Sequence, residues 1–384
     1  MSSIKIIRAT TVPQSLEDFC KDILRELSQN YEVIGLSSPG PELEIVEKRE
    51  GVRTIAVPME RRISPIKDFI SLLRLIRVFR KERPDMVHSM TPKAGLLCML
   101  AGKLTGVPVR IHTFTGLVFP TSTGLKKKIL MATDWLTCAC ATHIIPEGEG
   151  VKADLLNNGI TKKPIKVLGY GNVKGCDMDY FSRRDEVIRA AEQLKDKSKF
   201  TFLYVGRVVR DKGINELIAA FKKLYSSHHN IRLVLVGPYE DDIDPISEEA
   251  QKAIDNHEDI IAVGKKMGVD LLAYYAASDC FVFPSYREGF PNTVIEAGAM
   301  GLPSIVTDIN GAREIIINGE NGVIVPFKDA DALYDAMLNM LQDKAERERM
   351  AGNARHLIET RYEQRFVRQC LYDFYKEVLP TNDN

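Results

Sequence analysis

Short apolar segments alternate with longer amphipathic segments along almost the whole of this 384-residue chain. The short apolar segments have the length of buried strands, and the segments between them, such as 15–28, repeat apolar residues at helical spacing. The predicted strands include residues 86–89, 165–167, 200–205, 260–262, 280–283 and 322–325. Parallel strands need a crossover connection, which is usually a helix, so this alternation predicts parallel α/β sheets. A chain of this length can bury two cores. We therefore predict an α/β protein with two doubly wound, Rossmann-like domains.

The alternating segments form two series, which we assign to two domains. The first domain occupies residues 1–175 and the second occupies residues 190–363, with a mixed-charge connector in the region 171–198 and a final helical segment at 364–384. Ligands of doubly wound sheets bind beyond the carboxyl ends of the strands. We therefore expect the two domains to face a central cleft that holds the ligand.

The net charge is zero, but the two halves of the sequence differ. Residues 1–170 contain 25 Lys and Arg and 17 Asp and Glu, a net charge of +8, which leaves −8 on the remainder. A basic half indicates an anionic partner, either phosphate groups or an anionic membrane surface. The basic residues are not interleaved with aromatic residues that could stack on bases, which disfavours a nucleic acid as the partner.

The composition, 45% hydrophobic and 27% charged, is that of a globular protein. The seven cysteines include no C-x-x-C pair, which indicates reduced thiols and a cytoplasmic location. The first residues lead directly into a strand rather than a signal peptide, and the longest apolar run, 129–145, is too short and too polar to span a bilayer. We expect a cytoplasmic protein, either soluble or peripheral to a membrane.

Two glutamates eight residues apart mark the most informative motif, at 287–303. Glu288 precedes a predicted helix at 291–300, and Glu296 lies more than one turn inside it. Pro291 suits the first helical turn, and Gly301 is expected to cap the carboxyl end. The free N–H groups of the first turn form an anion site between the two carboxylates. A nucleotide-sugar, with phosphates at one end and hydroxyls at the other, fits this arrangement.

A second motif follows the strand at 200–205. Its sequence, from Gly206 to Gly213, is G-R-V-V-R-D-K-G. Arg207 and Lys212 can neutralise a diphosphate and stabilise the charge that develops on a departing nucleotide. A third stretch, at 263–279, begins V-G-K-K and ends Y-Y-A-A-S-D. With the paired glutamates, these stretches resemble the retaining GT-B glycosyltransferases of family four, in the family's order and over nearly the whole chain.

The resemblance implies specific roles in this sequence. Glu288 would contact the donor sugar, Glu296 the ribose, and His112, at the end of a strand, would face the donor sugar. Arg207 and Lys212 would hold the diphosphate and, with Glu288 and His112, form the catalytic set. The resemblance also implies that the final helical segment crosses back to the first domain. The remaining donor-binding residues would be Gly264, Lys265, Gly289, Phe290, Pro291, Asn292 and Thr293.

The loop after the first strand departs from the family pattern. Many members carry two glycines there, whereas this chain has Thr10, Thr11 and Ser15 in and after the loop. We assign these three residues to the acceptor. No G-x-G-x-x-G follows a strand, which also argues against a dinucleotide-dependent oxidoreductase.

In another glycosyltransferase fold, Asp-x-Asp pairs hold a divalent cation, and this sequence contains two such pairs. They are Asp177 with Asp179, in the connector, and Asp242 with Asp244, in a loop. We interpret both as solvated acidic loops away from the diphosphate motif. Because Arg207 and Lys212 already supply positive charge, we expect no metal and no cofactor, with a UDP-sugar as the donor substrate.

Two basic and apolar clusters suit an anionic membrane surface. One is the amphipathic segment 61–81, and the other combines residues 117–119 with three lysines at 126–128, near Trp135. The alternative is an ordinary packed helix with a charged outer face. If the clusters do meet a membrane, the protein is peripheral on the inner face of the cytoplasmic membrane.

The resemblance implies a metal-independent retaining transferase. It would move a hexose or N-acetylhexosamine from a nucleotide donor, expected to be UDP-linked, to a saccharide acceptor. We expect this acceptor to be a polyprenyl-diphosphate-linked intermediate of surface polysaccharide assembly. A GT-B sugar-nucleotide 2-epimerase and a nucleotide-sugar-binding protein that never transfers are the alternatives. The sequence leaves the base, the sugar, the linkage and the oligomeric state open.

Overall fold

A computed structural model describes residues 4–240 and 244–380 of the chain. The chain forms two compact units. The N-terminal unit is Met1–Lys174 together with Arg365–Asn384, and the C-terminal unit is Gly175–Gln364. Within each unit, the described residues form one sheet of six parallel strands.

The elements of the N-terminal residues are β1 (Lys5–Ala9), α1 (Pro13–Cys20), α2 (Ile23–Ser28), β2 (Glu32–Ser37), α3 (Pro41–Glu50), β3 (Arg53–Ala56), α4 (Pro65–Glu82), β4 (Met86–Met90), α5 (Pro92–Thr105), β5 (Val109–Phe114), α6 (Gly124–Cys140), β6 (His143–Pro146) and α7 (Glu149–Asn157). The C-terminal unit contains α8 (Asp185–Leu194), β7 (Phe200–Val205), α9 (Ile214–Tyr225), β8 (Ile231–Val236), α10 (Glu248–Asn256), β9 (Ile260–Ala262), α11 (Gly268–Ala277), β10 (Cys280–Phe283), α12 (Asn292–Ala299), β11 (Ser304–Thr307), α13 (Ala312–Ile315), β12 (Gly322–Val325), α14 (Ala330–Gln342) and α15 (Lys344–Tyr362). The chain ends with α16 (Gln364–Val378), and residues 381–384 of the predicted final segment lie outside the described residues. In residues 4–240 and 244–380, no helix has the length and apolar character needed to cross a bilayer.

The sheet of the N-terminal unit has the order β3-β2-β1-β4-β5-β6. Ile7, on the central strand, is paired with Ile34 on one side and with Val87 on the other. Successive side chains of a strand point to opposite faces, so Ile6 and Ile7 contribute to two different cores. The strand order reverses between β1 and β4. The carboxyl ends of these two strands therefore flank the position where doubly wound sheets bind ligands.

A buried arginine connects α16 to the centre of this sheet through a hydrogen bond. The Arg8 side chain is 1% exposed and forms no ion pair with any described carboxylate. Its Nη1 donates to the Tyr375 hydroxyl oxygen at 2.6 Å and lies 2.8 Å from His88 Nδ1. Burial, and then the charge of Arg8, hold the pKa of His88 well below its usual range, so this histidine is neutral. Arg8 therefore depends on neutral acceptors, one of which is supplied by the last helix.

Removing the Tyr375 hydroxyl should destabilise the N-terminal unit. Tyr375→Phe leaves a buried guanidinium with one acceptor fewer, so the free energy of unfolding should fall by about 1–3 kcal/mol. Urea denaturation followed by circular dichroism measures the effect. Tyr31→Phe is the matched control, since Tyr31 packs beside the same core and its hydroxyl bonds no described residue. Equal stabilities of the two variants would contradict the importance of this contact.

The sheet of the C-terminal unit has the order β12-β11-β10-β7-β8-β9. The chain runs outward from β7 through β8 to β9 and then returns to β10 on the other side of β7, where Phe202 is paired with Cys280. The order therefore reverses between β7 and β10. The loops that follow these two strands contain the second motif and the paired-glutamate motif predicted from the sequence.

Two local predictions were wrong. The helix predicted at 15–28 is divided into α1 and α2, because Asp22 has a φ of +63°. The carboxylate of Glu50, on α3, caps α2 by accepting the N–H of Asp22 at 3.0 Å and that of Arg25 at 3.2 Å. The strand predicted at 165–167 forms only an isolated bridge from Ile165 to Ile144. The region 171–198, predicted as a connector, contains the division between the two units and also α8.

Candidate active site

The candidate donor residues of the C-terminal unit lie beyond the carboxyl ends of four neighbouring strands. Gly206 and Arg207 follow β7, Gly264 follows β9, and Glu288 follows β10. Gly237, which the sequence did not single out, follows β8 and donates its N–H to the Gly264 carbonyl at 3.0 Å. The structure therefore collects three separate sequence motifs at one edge of the sheet, beside the reversal between β7 and β10.

Lys212 and Glu288, which are 76 residues apart in sequence, are hydrogen-bonded. Lys212 ends a short 3-10 turn, Arg210–Lys212, and is only 9% exposed. Its Nζ contacts Oε1 of Glu288, and the buried Ser285 hydroxyl donates to the same oxygen at 3.1 Å. A cation and a carboxylate from different motifs thus meet between the loops after β7 and β10.

Glycines allow these loops to approach one another. Gly213 has a φ of +72°, and a Cβ at this position would lie 2.0 Å from the Pro284 carbonyl oxygen. A Cβ at Gly237 would lie 1.7 Å from the Gly206 carbonyl oxygen. Only glycine fits at these two positions, because any side chain would separate the loops.

The backbone at Arg207 is held by a buried tyrosine. The Tyr204 hydroxyl donates to the Arg207 carbonyl oxygen at 2.7 Å. Burial, and then the negative charge of Glu288, hold the pKa of Tyr204 well above its usual range, so the hydroxyl keeps its proton. The Arg207 guanidinium itself is half exposed and donates from Nη1 to Glu240 Oε2 at 2.6 Å. Arg207 is therefore accessible and is paired with an acidic side chain.

The helix of the paired-glutamate motif has the expected carboxyl cap. Gly301 has a φ of +76°, its N–H donates to the Gly298 carbonyl, and the Leu302 N–H donates to the Ala297 carbonyl, both at 2.9 Å. This is the hydrogen-bond pattern of a Schellman motif. At the amino end, α12 begins at Asn292, so Pro291 is the N-cap residue rather than the predicted first helical residue.

The loop between the two glutamates offers mainly its backbone to a ligand. The Phe290 side chain is part of the core, where its ring meets that of Tyr362 at a centroid distance of 5.5 Å. Gly311, after β11, supports this loop, since its φ is +73° and a Cβ there would lie 2.5 Å from the Gly289 carbonyl oxygen. Thr293 is half-buried in the first turn of α12. The N–H groups of this turn remain the candidates for binding an anion.

Glu296 is oriented by a buried phenol. The Tyr275 hydroxyl donates to Glu296 Oε2 at 3.0 Å. Burial, and then the Glu296 charge, hold the pKa of Tyr275 well above its usual range. Tyr275 therefore stays protonated and fixes one carboxylate oxygen. Near the end of β9, Lys265 is exposed, and Gly264 has a φ of +69° with no atom near the position that a Cβ would occupy.

The two acidic pairs have different surroundings. Asp177 Oδ1 accepts the N–H of Asp179 at 3.1 Å and closes a local turn. Asp244, in contrast, accepts the N–H of Asp211 at 2.7 Å and pairs with Arg210 at 2.9 Å. The prediction that the second pair lies away from the diphosphate motif was therefore wrong for Asp244, while Asp242 lies outside the described residues. No group of three His, Cys, Asp or Glu side chains suited to a metal occurs in 4–240 or 244–380.

In the N-terminal unit, His112 is fully buried on β5. Its Nδ1 lies 2.9 Å from the Ser89 hydroxyl oxygen. A Cβ on Gly95 would lie 2.3 Å from its Cε1, so the ring occupies the space that this glycine leaves open. Burial lowers the pKa of His112 to about 3, so the imidazole is neutral at physiological pH.

The residues predicted to meet the acceptor also belong to the N-terminal unit. Thr10 is buried and donates its hydroxyl to the Val12 carbonyl at 2.9 Å. The Thr11 hydroxyl oxygen lies 2.7 Å from that of Thr91, which joins the loops after β1 and β4. Ser15 is half-buried on α1.

Known families match both halves of the chain. The family model described as Glycosyl transferase 4-like domain matches residues 20–171, and the one described as Glycosyl transferases group 1 matches residues 186–357. The capsular polysaccharide biosynthesis glycosyltransferase CapM of Staphylococcus aureus is 32% identical over 384 residues, covering 100% of both chains. The chain belongs to the group 1 glycosyltransferases.

A second curated relative and a solved structure are also similar to this group 1 glycosyltransferase. An Escherichia coli enzyme, the UDP-Gal:alpha-D-GlcNAc-diphosphoundecaprenol alpha-1,3-galactosyltransferase, is 29% identical over 306 residues, covering 77% of this chain and 76% of the enzyme. The crystal structure of Anabaena HepE in complex with UDP superposes with a TM-score of 0.81 and 16% identity, covering 97% of this chain and 100% of HepE. The predicted GT-B fold is confirmed.

Several residues that belong to the site of this glycosyltransferase were not identified from the sequence. Tyr204, Ser285 and Glu240 contact the candidate catalytic residues, and Gly311 supports the glutamate loop. Ser285 had a sequence signal, because it lies three residues before Glu288 at the end of a strand. Glu240 had none, since its contact with Arg207 depends on how the loops after β7 and β8 meet.

Proposed function

We propose that this glycosyltransferase moves a hexose or N-acetylhexosamine from a UDP-linked donor to a saccharide acceptor with retention of the anomeric configuration. The contact between Lys212 and Glu288 carries this proposal. It brings a group for a diphosphate and a group for sugar hydroxyls together at the strand-order reversal, as a nucleotide-sugar requires.

The transfer breaks the bond between the anomeric carbon and the diphosphate oxygen and forms a bond from the acceptor oxygen to the same face of that carbon. Negative charge develops on the departing diphosphate, and Arg207, Lys212 and the first N–H groups of α12 would stabilise it. The departing phosphate oxygen would receive the acceptor proton, so that no separate base is needed. Glu288 and His112 would orient the reacting sugar, and Glu296 would bind the ribose.

A lipid-linked acceptor fits the names of two relatives. The Escherichia coli enzyme is named for a diphosphoundecaprenol acceptor, and CapM for capsular polysaccharide biosynthesis. In the N-terminal unit, Ile66, Phe69 and Trp135 are exposed, and three exposed or half-exposed lysines lie at 126–128. Apolar side chains beside lysines favour binding to an anionic membrane. We therefore propose a peripheral, cytoplasmic enzyme of surface polysaccharide assembly.

Acceptor-dependent release of UDP separates this function from its two alternatives. A set of UDP-sugars is incubated with the protein, with and without prenyl-diphosphate-linked saccharides, and UDP and the labelled product are measured. A transferase needs both substrates to form the glycosidic product. A 2-epimerase would convert the donor without an acceptor, and a binding protein would yield neither product; either result would reject the proposal.

The two glutamates should have separable kinetic effects. Glu296→Ala should mainly raise the KM for the donor, because ribose contacts are similar in the ground and transition states. Glu288→Ala should mainly lower kcat, because its contacts are with the reacting sugar. Each loss should be about ten- to a hundredfold, as expected for a hydrogen bond to a charged group. Steady-state kinetics measure both constants, and the reverse pattern would contradict the assignment of the two carboxylates.

Full activity is expected in EDTA. Arg207, Lys212 and the N–H groups of α12 would meet the charge of the departing diphosphate, and we propose that neither a metal nor a cofactor takes part. The measurement is the initial transfer rate after dialysis against EDTA, compared with the rate after Mn²⁺ or Mg²⁺ is restored. A rate that falls in EDTA and recovers with either ion would overturn this expectation.

A further inference from the structure

A small cavity lies between α16 and the sheet of the N-terminal unit. Its volume is about 20 Å³, and its wall includes Arg8 on β1, Thr113 on β5, and Val367 and Leu371 on α16. These residues differ from those predicted to meet the donor or the acceptor. One buried water needs roughly 10–15 Å³ of such space. The cavity therefore has room for one small molecule or ion, and not for a sugar or a phosphate group.

Arg8 has a hydrogen-bond donor that the surrounding residues do not use. A guanidinium carries five N–H groups. The two of Nη1 donate to the Tyr375 hydroxyl oxygen and to His88 Nδ1. Those of Nη2 meet two sulfur atoms, which are weak acceptors, Cys20 Sγ at 3.6 Å and Met90 Sδ at 3.2 Å. The buried Nε–H has no partner among the described residues.

The contacts of His88 make the Thr113 hydroxyl a second donor. Arg8 can only donate, so His88 Nδ1 accepts from it, and the neutral ring carries its proton on Nε2. Nε2 lies 2.7 Å from Thr113 Oγ1 and donates to it. Thr113 then has its own hydroxyl hydrogen left to donate, and it lines the cavity together with Arg8.

The charge beside the cavity is positive. Arg8 is 1% exposed, and it forms no ion pair with any described carboxylate. Buried charges are normally paired, because an unpaired charge loses its hydration without compensation. A water would accept from the Nε–H, but it would leave the charge uncompensated and would need acceptors for its own two hydrogens. An anion accepts from both donors and compensates the charge.

We propose that this cavity binds one monovalent, monatomic anion, for which chloride is the physiological candidate. The Arg8 Nε–H and the Thr113 hydroxyl donate to the anion, and the apolar side chains of Val367 and Leu371 cover it. Because these two side chains belong to α16, the anion stabilises the attachment of the last helix to the sheet. It acts on the stability of the N-terminal unit rather than on sugar transfer.

Crystals of the full chain grown in sodium bromide test the position of the anion, because bromide resembles chloride and scatters anomalously. We expect an anomalous peak within hydrogen-bond distance of Arg8 Nε and Thr113 Oγ1. Electron density at this position without an anomalous signal would identify a water and overturn the proposal.

Thermal unfolding in sodium chloride and in sodium gluconate, at equal ionic strength, measures binding in solution. Gluconate is too large for the cavity and serves as the reference. Trp135, which is the single tryptophan of the chain and lies on α6, reports the unfolding of the N-terminal unit by its fluorescence. Above the dissociation constant, each tenfold rise in chloride should raise the Tm by about 3–5 °C relative to gluconate. Equal Tm values in the two salts, even with a bromide peak in the crystal, would mean binding at crystal concentration only and would reject the proposal.

Three variants test whether the chloride effect arises at this cavity. Thr113→Val keeps the shape of the side chain and removes one donor, so it should weaken the apparent chloride affinity about tenfold. Arg8→Met should abolish the chloride effect. Thr137→Val is the matched control, since the Thr137 hydroxyl is equally buried in the same unit but donates to the Thr133 carbonyl on α6.

The control should keep the full chloride-dependent shift. If Arg8→Met does not fold, Thr113→Val and the bromide peak decide the question. An unchanged chloride dependence in Thr113→Val, or an equal loss in Thr137→Val, would contradict the assignment of the anion to this cavity.

Discussion

Replacing Lys212 with methionine should lower the rate of sugar transfer by about ten- to a hundredfold, because a hydrogen bond to a charged group contributes about 1.5–3 kcal/mol. The side chain is nearly buried and points its ammonium at Glu288, so methionine keeps the packing volume and removes only the charge. The departing diphosphate carries more charge in the transition state than in the bound donor. Donor binding should therefore weaken less than the rate.

Steady-state kinetics and calorimetry of UDP binding separate the two effects. The matched control is Lys222→Met, which removes a lysine that pairs with Glu249 on the exposed side of α9. This control should behave as the unmodified enzyme does. If kcat is unchanged in the Lys212→Met enzyme, Lys212 is not a catalytic residue. If donor binding and the transfer rate fall by the same factor, Lys212 contributes only to binding of the donor in the ground state.

Gly213→Ala should both destabilise the C-terminal unit and reduce transfer strongly. The left-handed backbone disfavours alanine by about 1–2 kcal/mol, and relief of the contact with the Pro284 carbonyl should add about 1–3 kcal/mol. Relief requires the loops after β7 and β10 to separate. That movement would pull Lys212 away from Glu288, so activity should fall even where the protein remains folded.

Gly319→Ala provides a control for the backbone conformation alone. Gly319 has a φ of +81°, but no atom lies within 4 Å of the position that its Cβ would occupy. Urea denaturation and transfer assays on both variants compare the two positions. We expect Gly213→Ala to be the less stable of the two and the only one with strongly reduced transfer. Similar results would show that the close approach to Pro284 is unimportant.

The strands were the most predictable part of the fold. Those predicted at 260–262, 280–283 and 322–325 have the same bounds in the structure. Strands of a parallel sheet are buried on both faces, so Cys280–Phe283 appears in the sequence as an unbroken apolar run between polar turns. The cap at Gly301 was also predictable, because a left-handed residue after a helix is a local requirement.

Contacts between residues that are far apart in the sequence could not be predicted in this way. The division of the helix at 15–28 depends on Glu50, and the position of Asp244 depends on the N–H of Asp211, 33 residues earlier. The motifs identified Lys212 and Glu288 as separate candidates. Their direct contact follows from the strand order, which places β7 beside β10 although β8 and β9 lie between them in the chain.

The position of α16 has a consequence for the order in which the protein is made. Leu371, Phe374 and Tyr375 share a core with Ile6 and other residues of the first strands and helices. The whole C-terminal unit is synthesised between these two groups of residues, so the unit that is begun first cannot complete its core until α16 has been made. The C-terminal unit, a continuous segment, can fold earlier. Domains usually fold in the order of synthesis, whereas here the core of the unit that is begun first is the last to have all its residues synthesised.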